Sequence, residues 1–270
     1  MKKLFLILAA IFAVAMITGC TQPSSPAGGG NGSAVTTKTI KAAPDTVGDI
    51  VLKNGTAIAY YDGLTLTDQE KADAIAVIFY AGGDNELGSR KLGVGLKEFI
   101  DMRSFYAQGS NTKGRKSNDA KDELNGLNNQ NIMEDYDDFD SSDDSDNKYP
   151  AFYWTDNYDE EIPVQWADTS GYGQNWYVPA IKELKKLLEQ STIVNKAFAK
   201  ISDTADKFPE TGYKSYWSST TDNTPTNSIS QEMYENAYYF ILEPQASTKV
   251  QGPLSIKKES ALAVRAVHTF

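Results

Sequence analysis

The chain has a single cysteine, Cys20, and a single histidine, His268, among its 270 residues. A structural zinc site built from four cysteines, or from paired cysteines and histidines, is therefore excluded, and so is an intrachain disulfide. Basic charge is also scarce: 26 Lys and Arg stand against 36 Asp and Glu, a formal net charge of −10. A general nucleic-acid binder needs a basic face to displace condensed counterions, and a polybasic hold on anionic lipid needs the same. Nucleic acid is not an expected partner. Long apolar runs are missing too. The longest, Leu4 to Ile17, falls short of the ~20 residues of a spanning helix. What is present is 40% hydrophobic and 11% aromatic residues, enough to build a core.

Lys2 and Lys3 precede that apolar run, and Ile17-Thr18-Gly19-Cys20 closes it with small residues before the only cysteine. Residues 1–19 read as a secretory signal peptide. Its ending resembles a bacterial lipobox, where the peptidase cuts before a cysteine already carrying thioether-linked diacylglycerol. Ile17 and Thr18 depart from the commonest Leu-Ala/Ser form. Cys20 is the expected lipidation site and the membrane the expected partner, because several acyl chains at ~0.8 kcal/mol per buried methylene make a durable anchor. The expected location is the outer membrane or cell surface. Residues 20–46, with Pro23-Ser24-Ser25-Pro26 and a glycine-rich stretch from Gly28 to Ser33, read as a flexible tether.

Folded sequence is expected from residue 47 to 270. Gly48 to Ile58 reads as a hairpin turning at Asn54-Gly55, a pair that favours a type I′ turn. Thr67 and Glu70 have capping-box spacing for a short helix. Ala74 to Tyr80 is apolar throughout and β-branched, the pattern of a buried central strand. Leu92 to Leu96 is a second strand whose two glycines imply close backbone approach. Residues 103–149 form a polar insertion. Between Glu134 and Asp146 most positions are Asp or Glu and none is basic, among them Asp137, Asp140 and Asp144. Clustered carboxylates suit calcium, but the EF-hand pattern is missing, so a solvated insertion without metal is the expectation. No cofactor is expected. Regular structure resumes at Tyr149 to Trp154 and Gly171 to Val178. Pro179 then marks a helix start, with Ile181, Leu184, Leu187 and Leu188 as its apolar stripe. A second helix spans about 193–201. Strands are expected at Ala237 to Leu242 and Ala263 to Val267.

Three motifs, in order, resemble one family. They are Trp176-Tyr177-Val178-Pro179-Ala180-Ile181-Lys182-Glu183-Leu184, Tyr216-Trp217-Ser218-Ser219-Thr220 and Val264-Arg265-Ala266-Val267. They are similar to the "W-R-L-P-T-x-x-E-L", "Y-W-S-S-T-E" and "V-R-x-V-R" runs of the Lcl C-terminal-domain family of spirochaete-type bacterial lipoproteins. Gly48 to Leu52 and Ala76 to Tyr80 look like treponemal members. The resemblance implies an α+β, C-type-lectin-like fold of the formylglycine-generating-enzyme type: a small antiparallel sheet, two helices and long loops. Some relatives, such as the treponemal variable lipoprotein, bind ligands through residues diversified by a retroelement. Tyr177 and His268 stand where the family commonly has arginine.

Enzymatic activity is not expected. The formylglycine-generating reaction needs paired thiols, which this chain lacks, and His268 has no nucleophile-elbow partner for a triad. Ligand binding has positive content. Tyr213, Tyr216, Trp217, Tyr234, Tyr238 and Tyr239 alternate with Ser218, Ser219, Asn223, Asn227, Ser228 and Asn236. Rigid amphipathic rings among adaptable hydrogen-bonders are how binding loops are composed. The loop 221–236, with Asn223, Asn227, Ser228, Tyr234 and Asn236, is the expected contact surface for a protein or glycan of a host or neighbouring cell. Trp217 and Arg265 are expected to be structural. Glu243-Pro244-Gln245 resembles the Glu-Pro-Asn of calcium-dependent lectins but lacks the Trp-Asn-Asp companion. The alternative is a structural or antigenic surface protein without a dedicated ligand.

Overall fold

The computed structural model describes residues 37–99, 119–135, 149–158, 174–222 and 236–270. Its compact unit runs from Thr37 to Phe270 and is α+β. The first sheet has six strands in the order β1-β3-β2-β4-β5-β9. These are β1 (Ile40–Lys41), β2 (Ile50–Leu52), β3 (Ala57–Ile58), β4 (Ala74–Tyr80), β5 (Leu92–Phe99) and β9 (Val264–Thr269). The second holds β6 (Lys214–Thr221), β7 (Asn236–Leu242) and β8 (Val250–Lys257), in sequence order. Neighbouring strands in both sheets run antiparallel.

β4 is central and all seven of its residues are buried. One face meets α4 (Ile181–Glu189) and α5 (Ser191–Ile201): Val77 and Phe79 join Leu184, Leu187, Leu188, Val194 and Phe198 in one core. The other face puts Ile75, Ala76 and Ile78 into a second core with Phe152, Trp154, Trp176 and Trp217. A strand covered on both sides has no polar face to show, hence the unbroken apolar run. Gly95 on β5 lies under Tyr158, whose hydroxyl would sit 2.3 Å from an added Cβ and accepts the Lys97 N–H at 2.7 Å. Close approach is what that glycine allows.

The short helix α1 (Asp68–Asp73) starts on the expected capping box: Glu70 N–H donates to Thr67 Oγ1 and Thr67 N–H to Glu70 Oε2. The hairpin β2–β3 forms, but its turn is not type I′. Type I′ needs positive φ at both central residues. Here only Gly55 has it (81°), and Gly55 N–H donates to Leu52 O. Lys53, Asn54 and Gly55 thus make a three-residue connection that ends in a left-handed glycine.

Two elements lie inside stretches expected to carry none. β1 falls inside the expected tether. Lys41 pairs with the buried Asp49 at 2.8 Å, and Asp49 also accepts the N–H groups of Asp45 and Thr46, so charge rather than apolar burial ties this stretch down. Within the expected insertion lies α2 (Gly126–Glu134), and α3 (Pro150–Asp156) follows it. With α1, α4 and α5 these make five helices among the described residues, against the two that the resemblance implies. The acidic positions Asp137, Asp140 and Asp144 lie outside the described residues.

Candidate ligand-binding face

The small sheet is the element that carries the expected contact loop. β6 and β7 pair from Lys214↔Leu242 to Thr221↔Ala237, and the chain between them holds Asn223, Asn227, Ser228 and Tyr234, which lie outside the described residues. Its two roots are described and are tied together. Asp222 N–H donates to Asn236 O at 3.1 Å, and the Tyr238 hydroxyl donates to Asp222 Oδ1 at 3.0 Å. Thr221 N–H reaches across to Ala120 O at 2.8 Å. Asn236, expected in the loop, is instead the first residue of β7, opposite Lys257 of β8, because the Asp222–Asn236 bond carries the ladder one rung further.

Of the ring-bearing residues named with that loop, Tyr216 and Trp217 are fully buried, whereas Tyr213, just before β6, is 74% exposed. Trp217 packs edge-on to Tyr239 in the second core. Ser218 and Ser219 are buried strand residues rather than loop contacts. Ser218 Oγ donates to Tyr238 O at 2.9 Å, and Ser219 Oγ accepts from Asn129 Nδ2 at 2.9 Å. Their hydroxyls are spent inside the fold.

The three sequence motifs meet in one joint. Ser219 N–H donates to Pro179 O at 2.8 Å, and Ile181 N–H to Thr220 Oγ1 at 3.0 Å. Tyr177 and Val267 exchange backbone hydrogen bonds at 3.0 Å, and Trp217 N–H donates to Ala263 O at 3.0 Å. Two buried ionic clusters hold the same region. Arg265 Nη2 lies 2.8 Å from Glu98 Oε2, with its guanidinium 4.3 Å over the Phe208 ring, and Lys214 also pairs with Glu98. Tyr216 Oη donates to the same carboxylate at 3.2 Å, and burial raises its phenol above the ordinary value.

The second cluster centres on Glu183, which is fully buried and was not singled out among the site residues. It accepts Arg90 Nη1 at 2.5 Å, the N–H groups of Ala180 and Gly126, and the Tyr177 hydroxyl at 3.2 Å. Burial pushes this carboxyl up, against the pull of Arg90 and the two N–H donors. Its sequence signals were its place as the Glu of the first motif and its position three residues after the helix N-cap. His268 is 5% exposed; Nε2–H donates to Gln174 O at 3.0 Å, and burial lowers its pKa to about 4. These groups bond one another and bind the elements together.

Among the described residues, no helix is long and apolar enough to cross a membrane, and no group of three or more His, Cys, Asp or Glu is placed to hold a metal ion. Cys20 lies outside them. No family model matches the chain, and none of the curated proteins matches it.

Proposed function

We propose that the chain is a bacterial lipoprotein, anchored through lipid on Cys20 at the outer membrane or cell surface, that displays a C-type-lectin-like domain for capture of a host or neighbouring-cell macromolecule. The supporting observation is the pinning of Asp222 to Asn236 and Tyr238, which holds the roots of a Tyr- and Asn-bearing segment on a strand pair locked into two cores. Binding residues concentrate on loops that a rigid scaffold positions. The two sheets and the burial of Trp217 and Arg265 are compatible with the lectin-like scaffold that the three motifs suggest. The joint built by those motifs reads as scaffold, and the segment 223–235 as the variable contact, diversified by a retroelement as in some of the resembling lipoproteins.

The test is capture of host proteins and glycans by the full-length chain in detergent, with Asn227→Ala and Tyr234→Ala as variants. At least one should weaken capture by ~2 kcal/mol, the size of an interface hot spot. A ligand whose affinity neither change alters would overturn the assignment of the loop. A screen that captures nothing would favour a structural or antigenic surface protein instead.

A further inference from the structure

Lys196, Lys207 and Lys249 come from three separate segments yet line one cleft of about 340 Å³. Lys196 stands on α5, Lys207 on the segment that follows it, and Lys249 at the end of the β7–β8 turn. The walls are fixed. Asn195 Nδ2 donates to Phe208 O at 2.9 Å and Phe208 N–H returns to Asn195 Oδ1 at 2.8 Å, clamping the second segment to the helix. Glu243 N–H donates to Lys249 O at 2.9 Å, closing the turn.

The charge balance is unusual for this molecule. In a chain of net charge −10, three lysines line the cleft against one carboxylate, Glu210. Among the described residues Lys196 has only a long 3.6 Å ion pair, with the exposed Asp62. Lys207 and Glu210 form no ion pair among the described residues. Lys249 Nζ donates to the Thr192 hydroxyl at 2.7 Å, and burial lowers its pKa with no carboxylate acting against the shift. An ammonium that is partly stripped of water and faces only a hydroxyl retains donors for an anion.

We propose that this cleft binds a small, multiply charged oxyanion, a di- or tricarboxylate or a phosphate ester, between Lys196, Lys207 and Lys249. Its volume lies at the low end of the ~300–1,000 Å³ of small-molecule pockets, which sets the ligand's size. Lysines act as mobile point charges, so they suit an oxyanion without imposing bidentate geometry. The cleft lies beyond the opposite end of β7 from the loop roots. β7 begins at the loop root and ends beside the β7–β8 turn, and its seven residues span ~20 Å. None of the residues assigned to capture lines the cleft, so the two proposals are tested by different variants.

Titration calorimetry of the full-length chain in detergent, with citrate and with inorganic phosphate as separate probes, tests it. At least one probe should bind saturably and weaken in about 0.5 M salt. Lys207→Gln with Lys249→Gln should lower its affinity about tenfold. Lys207 is exposed and forms no ion pair among the described residues, so Lys207→Gln alone should lower affinity with the melting curve unchanged. Lys185→Gln, on α4 and outside the cleft, is the control and should bind as the wild type does. Citrate alone binding identifies carboxylates and phosphate alone a phosphate group; either supports the site. No saturable binding of either probe up to about 10 mM, or equal loss in Lys185→Gln, overturns it.

Discussion

Arg265 and Glu98 show how a charge is tolerated in an apolar strand. Both side chains are essentially without solvent, and each sits against more than one partner: Asp206 O and Phe208 for the arginine, Lys214 and Tyr216 for the glutamate. Taking away one side of such a pair strands the other charge, so Arg265→Leu should cost ~3 kcal/mol in urea unfolding. Trp217→Ala removes a fully buried indole and should cost ~3–5 kcal/mol by the same measurement. Wild-type stability in either variant would sink the scaffold role of these motifs. His268 makes stability depend on pH. Its folded pKa of about 4 lies below the ordinary histidine value of 6.5, so between the two the unfolded chain binds the extra proton. Its contribution is complete above about 6.5 and drains away as pH falls toward 4, a span worth ~3 kcal/mol. The stability difference between wild type and His268→Gln should shrink by that amount from about pH 7 to pH 4. A constant difference would show that the imidazole does not carry the effect.

Elements were legible in the sequence where apolar residues formed an unbroken run or a stripe. β4 has the first and α4 the second, and both lie where the pattern put them. β8 does not: its Gly252 and Pro253 suppress a strand reading, and as an edge strand it is largely exposed. α2 was hidden for the opposite reason. Its inward face includes Asn129 and Gln130, which are buried through hydrogen bonds to Asp122 O, Ser219 Oγ and Phe152 O rather than through apolar contact. Partners distant in the chain, such as Glu98 for Arg265 or Arg90 for Glu183, leave no local trace at all. The glycines of β5 did leave one. Gly95→Ala would drive a methyl into the Tyr158 ring and hydroxyl, and overpacking of this kind costs ~1–3 kcal/mol. The loss should appear in unfolding of the variant and be relieved by Tyr158→Leu in the double mutant. Additive losses would place the strain elsewhere.

At the scale of the molecule, the anchor and the domain are separable expectations. Cys20→Ala should remove radiolabelled lipid and move the chain from the membrane fraction to the soluble fraction while the domain's circular dichroism is unchanged. Retention of the mutant in the membrane would defeat the lipoprotein reading. The domain itself is closed by its last strand. β9 pairs with β5, exchanges bonds with Tyr177 and receives Trp217 N–H just ahead of its first residue, so the joint stays incomplete until Val264 to Thr269 are in place. Contacts this far apart in sequence make folding late and slow. Until Val264 to Thr269 dock, the edge of β5 that they cover is open to pairing with any other strand. The step that completes the structure is thus also the one that removes a site for aggregation.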